Sequence, residues 1–206
     1  MTAILLALVL SGPEVDATLA EGLVRRIEAR QGRAADLTAR FTQTYRSGAL
    51  GREVVERGVL RLKRPGRMLW EYKDPEKKTF VADGRSYYFY VPADKQVIVR
   101  DRDQEQGVAA LLLAARGRVL DQFEASLEPA PGEGLFRLRL TPRKADPDLE
   151  HVLVDLDVAG LVRAIEVDDA QGNRSLFRFD DVRENVGLSD RLFRFEVPPG
   201  VEVIRG

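Results

Sequence analysis

The chain has 206 residues, of which 44% are apolar and 32% charged, as in a folded globular protein rather than a disordered or collagen-like one. Its 32 lysines and arginines balance 33 aspartates and glutamates to a net charge of −1, without the basic excess that a nucleic-acid binder sets against phosphates. Zero cysteines and one histidine exclude thiol catalysis, disulfides and the usual zinc and iron–sulfur sites, so no metal or cofactor is expected.

Ala3–Leu10 is an unbroken apolar run, followed by Ser11-Gly12-Pro13 and a small residue at Ala17. This order resembles an export signal, expected to span residues 1–17, although the first basic residue is Arg25. The other reading is a segment packed into the core. Ten helical residues reach about 15 Å, half of a ~30 Å hydrocarbon layer, so a transmembrane anchor is excluded. With no linker long enough to split the remainder, residues 18–206 are expected to form a single domain.

Thr18-Leu-Ala-Glu21 has the form of a capping box and predicts a helix start. Leu19, Leu23, Val24 and Ile27 then fall on one helical face, and Gly32 supplies a left-handed stop. After Ala35 the apolar period drops to two. Leu60 and Leu62 alternate with Arg61 and Lys63, and Met68, Trp70 and Tyr72 with Arg67, Glu71 and Lys73. Phe136, Leu138 and Leu140 follow, then Val152, Val154 and Leu156, then Phe177 and Phe179, and last Phe193, Phe195 and Val197. Such alternation belongs to antiparallel strands with one wet and one apolar face. Turn signals at Arg64-Pro65-Gly66, Asp74-Pro75, Asp83-Gly84, Ala159-Gly160 and Gln171-Gly172-Asn173 separate roughly ten or eleven of them. Gly107–Gly117 breaks the pattern: its leucines and alanines favour a helix that must be buried or must cover something apolar.

The chemistry-bearing residues give little support to catalysis. His151 opens a strand pattern and is expected at a strand end on the surface, with no nucleophile elbow anywhere in the chain. Asp168-Asp169 and Asp180-Asp181 are adjacent pairs whose members face opposite sides of a strand, so turn and solvated-edge roles are expected. Tyr87-Tyr88-Phe89-Tyr90 reads as core rather than a stacking platform. No enzyme is expected. Arg64 shares the parity of Leu60 and Leu62, and pattern leaves two placements open. Either its side chain swings to water at the strand end, or it is buried and needs carbonyl or carboxylate partners. Ten or eleven strands curled into a barrel enclose more space than their own side chains fill. The residues therefore point to a curved antiparallel sheet with a helical lid over a hydrophobic cavity suited to acyl chains.

Phe41-Thr-Gln43, Gly58 to Leu62 running into Lys63-Arg64-Pro65, and Trp70-Glu-Tyr72 occur in that order. Val81-Ala-Asp83-Gly84, Phe89-Tyr90-x-Pro92, Leu140-Thr-Pro142 and Phe195-Glu-Val-Pro198-Pro199-Gly200-Val201 continue the series. From the opening helix onward the chain resembles the LolA family, periplasmic carriers of lipoproteins between the inner and outer membranes. The resemblance implies an unclosed, half β-barrel of about eleven antiparallel strands, with an α-helical lid over the cavity. Arg64 matches the family arginine that hydrogen-bonds the closed lid, and Trp70 the aromatic of the same strand; Met68 stands where some members carry phenylalanine. The chain ends soon after its Pro-Pro-Gly-Val stretch, without the C-terminal extension of some members.

On this basis the acyl-chain cavity is expected to be lined by Leu60, Leu62, Met68, Trp70, Tyr72 and Phe89 from the first half of the chain. Phe136, Leu138, Val154, Phe177 and Phe179 complete it from the second, and Val108, Leu111, Leu112 and Leu113 supply the lid helix. Implied partners are acylated lipoproteins, an inner-membrane LolCDE-type transporter and an outer-membrane LolB-type receptor, with the chain itself a monomer. The LolB receptor shares the fold but is anchored through an N-terminal cysteine, which this chain lacks. The competing readings are a LolA-like lipid-binding sensor, a general periplasmic lipid carrier and a hydrolase acting in a lipid cavity.

Overall fold

The computed structural model describes residues 13–101, 112–113 and 118–205, and its first element is α1, Pro13–Arg33. Residues 1–12 of the expected export signal lie outside the described residues, and Pro13–Ala17 begin the helix. The helix starts before the capping box because proline suits a first helical position and nothing from Glu14 to Ala17 breaks it. Its buried stripe is Ala20, Leu23, Val24 and Ile27, an i, i+3, i+4, i+7 series. Leu19, expected in that stripe, is 42% exposed, and Gly32 stays helical instead of ending the helix.

Six strands follow: β1 (Asp36–Arg46), β2 (Glu53–Lys63), β3 (Arg67–Asp74), β4 (Lys78–Ala82), β5 (Ser86–Val91) and β6 (Gln96–Asp101). A short helix, α2 (Val119–Gln122), leads into β7 (Phe123–Glu128), β8 (Leu135–Pro142), β9 (His151–Asp157), β10 (Val162–Asp168) and β11 (Arg174–Glu184). The last strand is β12 (Glu202–Arg205). All twelve form one sheet in the order β12-β6-β5-β4-β3-β2-β1-β11-β10-β9-β8-β7, with β12 and β7 as free edges. The sheet is thus unclosed and antiparallel-rich, as expected, with one strand more than the eleven read from alternation and one parallel pair, β12 on β6.

Alternation dictates which face is covered. Leu60, Leu62, Met68, Trp70, Leu138, Val154 and Phe179 point to one side and form a single core with Leu23, Val24 and Ile27 of α1. Register shifts at Thr38/Arg40, Arg57/Gly58 and Val162/Ala164 interrupt the ladders, and such bulges bend and twist a sheet. Phe41 lies directly opposite Gly58, where a Cβ would stand 2.6 Å from the Phe41 ring and 2.1 Å from the Glu71 carbonyl oxygen.

The expected strand through Phe193, Phe195 and Val197 does not form. Asp190–Phe193 is a 3-10 turn, and the chain from Asn185 to Val201 crosses the outer face as a strap. Phe193 is 1% exposed beside Leu69 and Val81, and Phe195 stacks on Tyr88 with ring centroids 5.2 Å apart. An extended segment lying on an apolar patch alternates like a strand, which is why the pattern misleads here. The Asp36 carboxylate accepts from the amides of Val186 (2.7 Å) and Leu188 (2.8 Å). Farther along, Asp190 meets Lys63 at 2.7 Å and Arg67 at 2.8 Å.

Two expectations follow. Gly58→Ala lowers the unfolding free energy by about 1–3 kcal/mol, because backbone and the Phe41 ring must both shift, and a urea titration reads the loss. Hydrogen bonds from Lys63 and Arg67 hold the Asp190 carboxyl below the ordinary carboxylate value of about 3.9. A lowered folded-state pKa gives stability that is present above the ordinary value and lost as the pH falls through the lowered one. The gap in thermal midpoint between the natural chain and Asp190→Asn therefore closes as the pH drops below about 4, and a constant gap counts against the link.

Candidate functional site

Between α1 and the inner face of β1, β2, β10 and β11 lies a cavity lined by Ile27, Gln31, Leu37, Ala39, Leu60, Leu62, Val162, Phe179 and Val182. Leu112 and Leu113 close it from above. Its free volume is about 50 Å³, against about 300–1,000 Å³ for pockets that hold a ligand. In this conformation the covering elements fill the apolar face, and the cavity between them is too small for a ligand of ordinary size.

Of the residues expected to line the site, Leu60, Leu62 and Phe179 do border this cavity. Met68, Trp70, Leu138 and Val154 are buried deeper on the same face, with Tyr72, Phe136 and Phe177 half-buried beside them. Phe89 stands opposite Phe80 in the ladder, so it shares the inner face, half-buried. Trp70 is 5% exposed and takes Phe41 and Phe177 edge-on, at 4.9 and 5.4 Å. Val108 and Leu111 of the expected lid helix lie outside the described residues, while Leu112 and Leu113 are helical and Leu112 is 1% exposed.

Alternation did not find Val182. Counting by twos from Phe177 and Phe179 aims Asp181 inward, but Asp181 has φ 51° at a bulge, and the extra residue turns Val182 to the cavity instead. Leu37, Ala39 and Val162 were also missed, because short alternating runs at strand starts carry too little pattern to read.

Arg64 takes the partnered one of its two open placements. Its Nε donates to the Ala34 carbonyl at 2.7 Å, and its backbone amide donates to the Ala35 carbonyl at 3.0 Å. Ala35 in turn donates to the Asn185 side chain at 2.8 Å, so the link from α1 to β1 is held from both sides. Burial pushes the guanidinium below its ordinary pKa, and Glu184 opposes that. Among the described residues the partner is the end of α1. The leucine-rich segment is tied to α1 by Gln31, which donates to the Leu112 carbonyl, and α2 by its Val119 amide, which donates to Glu28 at 2.9 Å.

His151 is not a surface residue. It is 8% exposed on the outer face, its Nε2 3.0 Å from Asp168, which also takes a two-pronged contact from Arg174. The wet-face expectation fails for Asp168 as well, because the Arg174 and His151 side chains cover it. Asp169 keeps a turn position, whereas Asp180 and Asp181 lie within β11, exposed at its bulge. Among the described residues no group of three or more His, Asp or Glu side chains could hold a metal, and no helix is long and apolar enough to cross a membrane.

The sequence profile described as "Outer membrane lipoprotein carrier protein LolA" matches residues 33–196. The chain belongs to the LolA family. The outer-membrane lipoprotein carrier protein of Hahella chejuensis is 31% identical over 188 residues, spanning 89% of this chain and 85% of that one. Its counterpart from Alkalilimnicola ehrlichii is 33% identical, spanning 98% of this chain and 93% of the other. Among solved structures, an uncharacterized conserved protein from Thermus thermophilus superposes with a TM-score of 0.58 at 14% identity, covering 91% of this chain and 99% of that one, a likeness of fold. The family is one of carriers, not enzymes. In this LolA-family chain the Phe41-x-Gln43 and Trp70-x-Tyr72 stretches are neighbours on the inner face, and Lys63-Arg64-Pro65 forms the turn at its rim.

Arg64→Leu leaves the Ala34 carbonyl without its donor, at a cost of about 1–3 kcal/mol. Because Trp70 is the single tryptophan, acrylamide quenching reads the state of the cover directly. Quenching is weak in the natural chain and rises in Arg64→Leu; equal quenching in both counts against a latch at this position.

Proposed function

We propose that this chain is a periplasmic chaperone that shelters the acyl chains of lipoproteins on its inner sheet face during transfer between membranes. Residues 1–17 act as the export signal, and 18–206 as the carrier domain. The observation that carries the reading is a large apolar face covered by α1 and Leu112–Leu113, with α1 held at the rim by two polar contacts, Arg64 on Ala34 and Arg30 on Glu184. A face sealed only by packing would have no reason to place a guanidinium at its rim.

The mechanism is differential binding without covalent chemistry. Each methylene moved from water to the inner face contributes about 0.8 kcal/mol. Lifting α1 from the sheet breaks the Arg64–Ala34 bond and the Arg30–Glu184 pair and uncovers Leu23, Val24 and Ile27, which offsets much of that gain. Binding then stays weak enough to reverse. An inner-membrane LolCDE-type ABC transporter supplies the cargo, and an outer-membrane LolB-type receptor takes it as Arg64 re-forms its bond and α1 settles back.

The test is binding of the purified chain to a triacylated peptide and to its non-acylated twin. The acylated form alone binds, and is recovered chemically unchanged. Arg64→Leu still binds it but passes it to an outer-membrane receptor more slowly. Equal affinity for the two peptides overturns the carrier reading.

A further inference from the structure

The buried apolar inner face of β1–β4 is bounded by a band of polar side chains, beyond which only the exposed Tyr45 and Val54 continue the face on β1 and β2. One step beyond Phe41, Gly58, Trp70 and Phe80 on the same face stand Gln43 on β1, Glu56 on β2, Tyr72 on β3 and Lys78 on β4. They are joined to one another. Lys78 Nζ lies 2.6 Å from Glu56 and 4.6 Å from the centre of the Tyr72 ring, and the Tyr72 hydroxyl donates to Gln43 at 2.7 Å.

Glu56 is 8% exposed. The other buried carboxylates and the buried histidine among the described residues serve the strap (Asp36) or the outer face (His151, Asp155, Asp168). A buried ion pair is a poor source of stability, since apolar replacements of equal volume are often neutral or better. Placing one on the face that must receive hydrocarbon has a different consequence. A methylene lying against Leu62, Leu60 or Trp70 gains the full transfer energy. A methylene pushed against Glu56 and Lys78 strips water from both charges and offers no hydrogen bond in return.

We propose that Gln43, Glu56, Tyr72 and Lys78 form a polar stop that limits the length of acyl chain the β1–β4 half of the sheet accepts. The proposal rests on the carrier reading and adds substrate selectivity to it. Along β2 the apolar track from Leu62 to Glu56 is about 20 Å, six residues at ~3.3 Å each. Across the seam with β11, the apolar Phe177 stands opposite Gln43, so the stop governs chains laid along β1–β4 and not those along β11.

The experiment measures affinity for one peptide carrying octanoyl, decanoyl, lauroyl, myristoyl, palmitoyl or stearoyl groups. The full chain is compared with Glu56→Leu/Lys78→Met and with Gln43→Leu/Tyr72→Phe, the milder change that keeps the ion pair. Chain-length dependence is read within each protein, so a loss of stability shifts every length alike and leaves the profile intact. Affinity of the natural chain rises about fourfold per methylene and then levels off. In Glu56→Leu/Lys78→Met the levelling moves to longer chains, with at least about tenfold tighter binding of the longest. The second variant moves the same way by less. Levelling at the same length in all three overturns the stop and leaves the carrier reading standing. No binding of any acyl peptide by any of the three overturns both.

Discussion

The inner face of an unclosed sheet is hydrocarbon that the sheet cannot hide by itself, and exposing it costs roughly 25 cal/mol per Å². Every other element is arranged around that constraint. α1 lays its Ala20–Ile27 stripe on the face, Leu112 fills beside it, and α2 with Phe123 seals the β7 end. A barrel closed on itself would need none of these, and would have no removable part. The opening between the β12 and β7 edges makes a cover necessary and also makes it separable from the sheet.

What holds the cover in register is polar and local. The Ala34–Asp36 link is the point where contacts converge: Arg64 takes the Ala34 carbonyl, Asn185 takes the Ala35 amide, and Asp36 anchors the strap. The strap returns to the same corner through Asp190, which pairs with Lys63 and Arg67 on either side of Arg64. Inner cover and outer strap therefore meet at one turn. Packing gives the cover its affinity for the sheet, while a handful of directional contacts decides where it sits.

Charge follows the same division. On the outer face, the pairs Arg137–Asp155 and Arg174–Asp168 bury carboxylates under guanidinium groups, each by two hydrogen bonds. The hydrogen bond to Asp168 holds Arg174 above its ordinary pKa, and Asp155 does the same for Arg137. On the inner face, charge stands at the rim, where Arg64 lies near the Arg30–Glu184 pair, and in the far band at Glu56 and Lys78, with apolar side chains between. A surface meant only for packing has no need of a polar boundary at both ends.

Period-two alternation in Leu60–Leu62, Met68–Tyr72, Phe136–Leu140 and Val152–Leu156 was enough to determine the strands β2, β3, β8 and β9 and which of their side chains face inward, because side-chain direction in a strand follows from residue parity. The ordered motifs from Phe41 to Val201 carried the resemblance to the family that the profile match over residues 33–196 shows. Other features came only with the tertiary structure. Whether Arg64 faced water or a carbonyl depended on where α1 ended, and α1 ended one residue past the glycine expected to stop it. Whether Phe193 and Phe195 formed a strand depended on an apolar patch of Leu69, Val81 and Tyr88 that belongs to distant strands. His151 was buried by Asp168 and Arg174 from neighbouring β10 and β11, and Val182 turned inward by a bulge at Asp181. Parity is local and survives in the sequence; partners that arrive from elsewhere in the chain, and a single inserted residue that resets parity, do not.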